Sequence, residues 1–166
     1  MCVMSVVKPH PVYTKYVEGQ DVFRCLEETP AQIEMLVRSW PRVRDEHSYA
    51  PGKWTARQLL MHLAHIEMVF STRLRLGVTA DHHVVQTFEQ DDWMALEPPT
   101  PALMALDAYV TLRRVNLQLC RSLTEEQRKR QSTHPEFGTI DIDWLMGWCA
   151  GHERHHLPQF QTIAAS

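Results

Sequence analysis

The chain has 166 residues, 22% charged and 44% hydrophobic, with a formal charge of −3 and a pI near 6.3. That length suffices for one domain with a real core, and the slight acidity argues against nucleic acid or an anionic membrane as the main partner. No apolar run approaches the roughly 20 residues of a membrane span, and the start, Met1 to Lys8, lacks the basic and long apolar regions of a signal peptide; a cytoplasmic location is the expectation.

Residues 1–19 carry Pro9, Pro11 and Gly19 without helical period and read as an extended arm; 20–166 read as a single domain. From Asp21 to Trp40 the apolar residues Val22, Leu26, Ile33, Leu36, Val37 and Trp40 recur at helical spacing. Pro30 interrupts them. Either Thr29 caps a helix with Pro30 in its first turn, or one longer helix is kinked there. Tyr49-Ala50-Pro51-Gly52-Lys53 is a turn, and Thr55 is a natural cap for a second helix reaching about Leu76, where Gly77 would stop it.

Residues 78–99 are polar, contain Pro98 and Pro99, and form a long connection of the kind that carries function or crosses a bundle. Thr100-Pro101 opens a third helix to about Leu123, with Leu103, Leu106, Val110, Leu117 and Cys120 inward. Thr124-Glu125-Glu126-Gln127 suits a short helical turn, and Thr133 to Gly138 a tight turn or small hairpin. Asp141 caps the last helix, which runs to about Ile163 with its end bent at Pro158. Four amphipathic helices and one long crossover predict an all-α four-helix bundle, a fold that builds metal sites from facing helices. Cys2, Cys25, Cys120 and Cys149 form no CxxC and read as free thiols.

The densest chemistry lies in Gly151-His152-Glu153-Arg154-His155-His156-Leu157. His152 and His156 are four apart, on one helix face, and share an inward stripe with Leu145, Cys149 and Phe160. An inward imidazole needs a partner, and one divalent metal ion would satisfy both. A third ligand must come from elsewhere. His62 is the best donor, because Leu59, His62, Leu63, Ile66 and Phe70 form a second inward stripe. His65 lies off that stripe, as a neighbour of the ligands or a surface residue, and His155 flanks the other and should be exposed. His82, His83 and His134 fall in loops and read as surface. Trp144 and Trp148 read as packing. Arg113, between Val110 and Leu117, is an inward cation that either meets an anion, a substrate or a dimer partner, or snorkels to solvent.

His152 to His156 also spells HExxH, the pattern that gives zinc peptidases two ligands and a general-base Glu. The ten residues after His156 include no Glu, Asp or His, so a downstream third ligand is not expected. Glu153 could lie beside a metal-bound water, but a solvated surface position is the expectation.

The run Tyr49 to Thr55 with His62-Leu63-Ala64, then Ser122-Leu123-Thr124-Glu125-Glu126, then His152 to Leu157 resembles the DinB superfamily in order and spacing, and most closely its YfiT-like branch of metal-dependent thiol S-transferases and hydrolases. The resemblance covers about residues 20–163. It implies a four-helix bundle, often homodimeric, with nickel or zinc on three histidines, which map to His62, His152 and His156. The family commonly has Asp where this chain has His65.

Three neutral imidazoles leave a metal its double charge and an open position, as in catalytic sites. The leading expectation is activation of a low-molecular-weight thiol, which attacks an electrophile as thiolate. The second is a hydrolase using metal-bound water. The third is a non-catalytic metal-binding stress-response protein in which the ion staples two helices.

Overall fold

The computed structural model describes residues 7–166; Cys2 lies outside them. The elements are α1 (Val22–Ser39), α2 (Ala56–Thr79), α3 (Gln90–Leu96), α4 (Ala102–Ser122), α5 (Glu125–Arg128), β1 (Gln131–His134), β2 (Gly138–Asp141) and α6 (Ile142–Ala165). α1, α2, α4 and α6 form a four-helix bundle. No helix among the described residues is long and apolar enough to cross a membrane.

Local chemistry explains most boundaries. Asp21 caps α1 by accepting from the Arg24 N–H. Thr55 and Gln58 form a reciprocal capping box at the start of α2, and Thr124 and Gln127 do the same for α5. Asp141 caps α6 through the Trp144 N–H. α1 passes Pro30 without a break, so the single longer helix of the two readings is the one formed. α6 likewise continues past Pro158 to Ala165.

Five sequence expectations need correction. Gly77 does not end α2, which runs two residues further. It packs closely: a Cβ on Gly77 would sit 2.9 Å from Ile142 Cδ1, a side-chain tip that would have to shift. Pro101, rather than Thr100, takes the cap position of α4, and Leu103 points out of the bundle. The arm is not extended throughout: residues Thr14–Tyr16 form a 3-10 turn packed on α6. Residues 78–99 contain α3, a two-turn helix with Asp91 and Asp92 in its first turn.

The topology follows from which helices touch. α2 packs on α4 and α6, and α1 packs on α6 and α4. Successive helices α1 and α2 are therefore diagonal, as are α4 and α6. One core cluster joins Cys25 and Leu26 of α1, Phe70 and Leu74 of α2, Leu117 and Cys120 of α4, and Leu145 and Cys149 of α6. The other joins Ile33 and Val37, Leu59 and Leu63, Leu106 and Val110, and Phe160 and Ile163. Read along each helix, α2 and α4 run parallel, and α1 and α6 run parallel in the opposite sense. Parallel neighbours about 30 Å long require a connection that returns along the bundle, which is the work of residues 80–101. That crossover is pinned to the β1–β2 hairpin: the Val85 N–H donates to the Thr133 carbonyl, and the Thr133 N–H to that of His83, each at 2.9 Å.

Between the two apolar clusters lies a belt of buried polar side chains: His62, His65 and Glu67 on α2, Arg113 and Asn116 on α4, and His152, Glu153 and His156 on α6. Burial at this cost requires partners, and the belt divides into two groups according to how those partners are found.

Candidate metal centre

The first group is imidazole alone. His62 Nε2 lies 3.2 Å from His152 Nε2, which lies 3.3 Å from His156 Nε2. One ligand atom from each of the three residues falls within 4.8 Å of the others. All three rings are buried. Aromatic neighbours fix them: Trp54 against His62 at 5.0 Å, Tyr13 edge-on to His152 at 5.1 Å, and Trp148 stacked on His152 at 5.8 Å. The His156 Nδ1–H donates to Gln159 Oε1 at 2.7 Å, which leaves the Nε2 lone pair facing the other two rings.

Burial holds these imidazoles neutral. It pushes His62 down to about 3 and His156 to about 4, and drives His152 well below the ordinary range; the neighbouring His156 adds to the shift of His62 and His152. The donor set therefore fits a divalent ion. Three convergent nitrogens cannot satisfy one another, because His152 Nε2 has a single proton to share between two contacts. A metal on the Nε2 atoms would place protons on all three Nδ1 atoms; His156 has its acceptor, whereas Nδ1 of His62 and of His152 have no partner among the described residues.

The second group is ionic. Arg113 on α4 donates through Nε and Nη2 to Glu67 Oε1, through Nη1 to Glu153 Oε2 at 2.8 Å and to the Leu26 carbonyl at 3.2 Å, and through Nη2 to Cys149 Sγ. The Tyr109 hydroxyl donates to Glu153 Oε1, and Asn116 Nδ2 donates to Glu67 Oε2 at 2.9 Å. Glu153 is thus not a solvated surface residue. The same helix turn that aims His152 at the triad carries Glu153 into the bundle interior, where burial and the charge of Glu67 raise its carboxyl well above the usual range. Arg113, a candidate for binding substrate, has every guanidinium nitrogen committed inside the protein. Glu67 escaped the sequence reading. Its signal was an acid on the α2 stripe, four residues from Leu63 and three from Phe70, matched by an inward cation on α4.

His65 is buried but stands outside the triad. Its Nε2 pairs with Glu97 Oε1 at 2.8 Å, and its ring meets Trp93 edge-on at 5.3 Å. It ties α2 to both α3 and the residue that caps α3. Of the loop histidines, His134 is buried: its Nδ1 accepts from the Glu136 and Phe137 N–H groups. His155 is half-buried, with Nδ1 2.9 Å from the Tyr16 hydroxyl.

A cleft of about 730 Å³ opens beside His152 and His156. Its walls are the loop before α2 (Tyr49, Lys53, Trp54), α3 (Gln90, Asp91, Met94), Tyr13 of the arm, and His155 and Gln159 of α6. The crossover helix α3 and the N-terminal arm are thus both walls of the site.

The model of the DinB superfamily matches residues 26–160. The chain belongs to the DinB superfamily. A relative from Oceanobacillus iheyensis is 29% identical over 139 residues, 83% of this chain and 81% of its own, and one from Halalkalibacterium halodurans is 26% identical over 149 residues, 87% of each; both carry the name "putative metal-dependent hydrolase". Among solved structures, YfiT from Bacillus subtilis superposes with a TM-score of 0.79 at 25% identity, over 87% of this chain and 84% of that one, and is described as "a probable metal-dependent hydrolase with an unusual four-helix bundle topology". The diagonal placement of successive helices gives this DinB chain a bundle topology apart from the simple up-and-down form.

Proposed function

We propose that this DinB chain is a metal-dependent enzyme in which His62, His152 and His156 hold one divalent transition ion, zinc or nickel, and which transfers a low-molecular-weight thiol to an electrophile. A bound ion of this kind supplies a positive charge with an open coordination position, where a thiol loses its proton at neutral pH.

The observation that carries the choice of chemistry is the position of Glu153. A hydrolase of the HExxH type needs that carboxylate as base for water. Here Glu153 faces Arg113 and Tyr109 inside the bundle. Around the triad, Gln159 fixes the tautomer of His156, and Trp54 and Trp148 hold the rings of His62 and His152. A thiol needs no strong base, because its own pKa lies near the working range. The names of the relatives favour the second reading, hydrolysis of an ester or amide at the same three histidines.

One comparison separates the two. Metal-replete protein is assayed with several small thiols against a chromogenic electrophile, and separately with a p-nitrophenyl ester without thiol. Thiol-dependent turnover that is lost in His62→Ala supports transfer. Ester turnover of equal efficiency that ignores added thiol would establish the hydrolase instead.

A further inference from the structure

Arg73 of α2 is buried, with 7% of its surface exposed, yet among the described residues it forms no ion pair. Every other buried charge in the bundle has an opposite charge beside it. Among the described residues, the guanidinium of Arg73 meets the Gln86 carbonyl, at 2.8 Å from Nη2, and the face of Trp148, 5.5 Å from Cζ to the ring centroid. Its Nε–H is buried without a partner among the described residues. Burial with no compensating anion pulls it down to about 10. A cation–π contact offsets part of such a cost, but an orphaned donor on a desolvated cation remains expensive.

Arg73 borders a cavity of about 440 Å³ that shares Tyr13, Gln90 and His152 with the cleft of the metal centre. Trp148 lines this cavity and joins Arg73, which lies on its face, to His152, stacked on it at 5.8 Å. Phe137 and Trp144 supply aromatic wall, and the acids Glu89 and Glu136 reach the cavity only from exposed positions. A molecule in this cavity can touch Arg73 and His152 together. The cavity of about 390 Å³ on the side of Gln86 contains none of the three histidines.

We propose that Arg73 anchors the carboxylate of the small molecule that reacts at the histidine triad. The proposal rests on the reading of the triad as the reacting centre, and adds the chemical class of one substrate: a short carboxylate whose apolar part lies on Trp148. The Arg fork matches a carboxylate, and one buried cation neutralises one negative charge. A dianion such as phosphate would leave an unpaired charge among aromatic walls.

The test is equilibrium binding by calorimetry and tryptophan fluorescence, using benzoate, its neutral isostere benzamide, and inorganic phosphate. Wild-type protein should bind benzoate at least about tenfold more tightly than benzamide or phosphate. Arg73→Gln should lose that preference, and Arg73→Lys, which keeps the charge without the fork, should lose most of it. In His62→Ala, deprived of metal, the benzoate preference should persist, because it belongs to Arg73. Equal binding of benzoate and benzamide by the wild type overturns the proposal whatever the variants do. So does a preference unchanged in Arg73→Gln, a preference for phosphate, or benzoate binding that disappears with the metal. In thiol transfer, 3-mercaptopropionate should outperform 3-mercaptopropanamide in wild type alone. Turnover of the amide in Arg73→Gln shows the reaction intact without the anchor. Failure of all thiols with benzoate binding intact marks the reaction, not the anchor, as wrong.

Discussion

Nη1 of Arg113 donates to Oε2 of Glu153 at 2.8 Å, deep in the bundle and one residue along α6 from the triad histidine His152. Glu67 accepts from the other side of the same guanidinium. Removing Arg113 leaves two carboxylates buried without a cation. Arg113→Met is therefore expected to destabilise the fold by about 3–5 kcal/mol, read as a lower urea midpoint. Glu153→Gln keeps the shape and the acceptor for Tyr109; it should cost less, retain its metal, and hold activity within about tenfold of wild type. A metal-replete Glu153→Gln protein that is stable and inactive would return the carboxylate to the chemistry. A stable Arg113→Met protein with a raised KM would make Arg113 a substrate ligand.

The proposed metal centre is tested by position rather than by residue type. His155 and His156 are adjacent, but only His156 Nε2 reaches the Nε2 of His152, while His155 turns to Tyr16. Wild type should hold about one divalent transition ion per chain by elemental analysis. His62→Ala and His156→Ala should fall far below that, since two imidazoles bind weakly, and His155→Ala should retain it. Full occupancy in His62→Ala would remove α2 from the site.

The triad was legible in the sequence because helical period sorts faces: the stripes through Leu59–Phe70 and Leu145–Phe160 each carry their histidines inward. The capping residues Thr55, Thr124 and Asp141 were legible for an equally local reason, a side chain three residues from the N–H it serves. What was not legible depends on partners distant in sequence. Glu153 stands beside histidines and looks solvated until Arg113, 40 residues earlier, is placed opposite it. α3 has too few turns for a period to show, and its place over the cleft depends on the His65–Glu97 pair across the crossover. Arg73 gave no signal, since its meaning lies in the acid it lacks.

Gly151 allows the arm to reach the site. A Cβ there would run into the backbone carbonyl of Tyr13, whose ring packs on His152 and lines the cleft. Backbone cannot yield as a side-chain tip can. Gly151→Ala should cost about 1–3 kcal/mol by overpacking and should expose residues 10–17 to limited proteolysis. Wild-type resistance of the arm in that variant would show that the contact does not hold it.

Burial pushes the Cys120 thiol up to about 12, against the opposing pull of Arg113. In the unfolded chain it titrates near the usual value of about 8.5. Between those values the native state binds one more proton than the unfolded state, so stability falls as pH rises, by about 1.4 kcal/mol per pH unit for this thiol. The loss sets in near pH 8.5 and ends near pH 12; well below pH 8 the thiol is protonated in both states and contributes no slope. Urea midpoints of wild type and Cys120→Ala, compared at pH 8 and pH 10, isolate the effect from other alkaline groups: the wild-type stability should drop by about 2 kcal/mol more than that of the variant. The same burial, shared by Cys25 and Cys149, should keep all three thiols from reacting with a disulfide reagent at pH 8 until denaturant is added. Parallel pH slopes in the two proteins, or fast labelling of Cys120 in the native state, would show that this thiol is open to solvent.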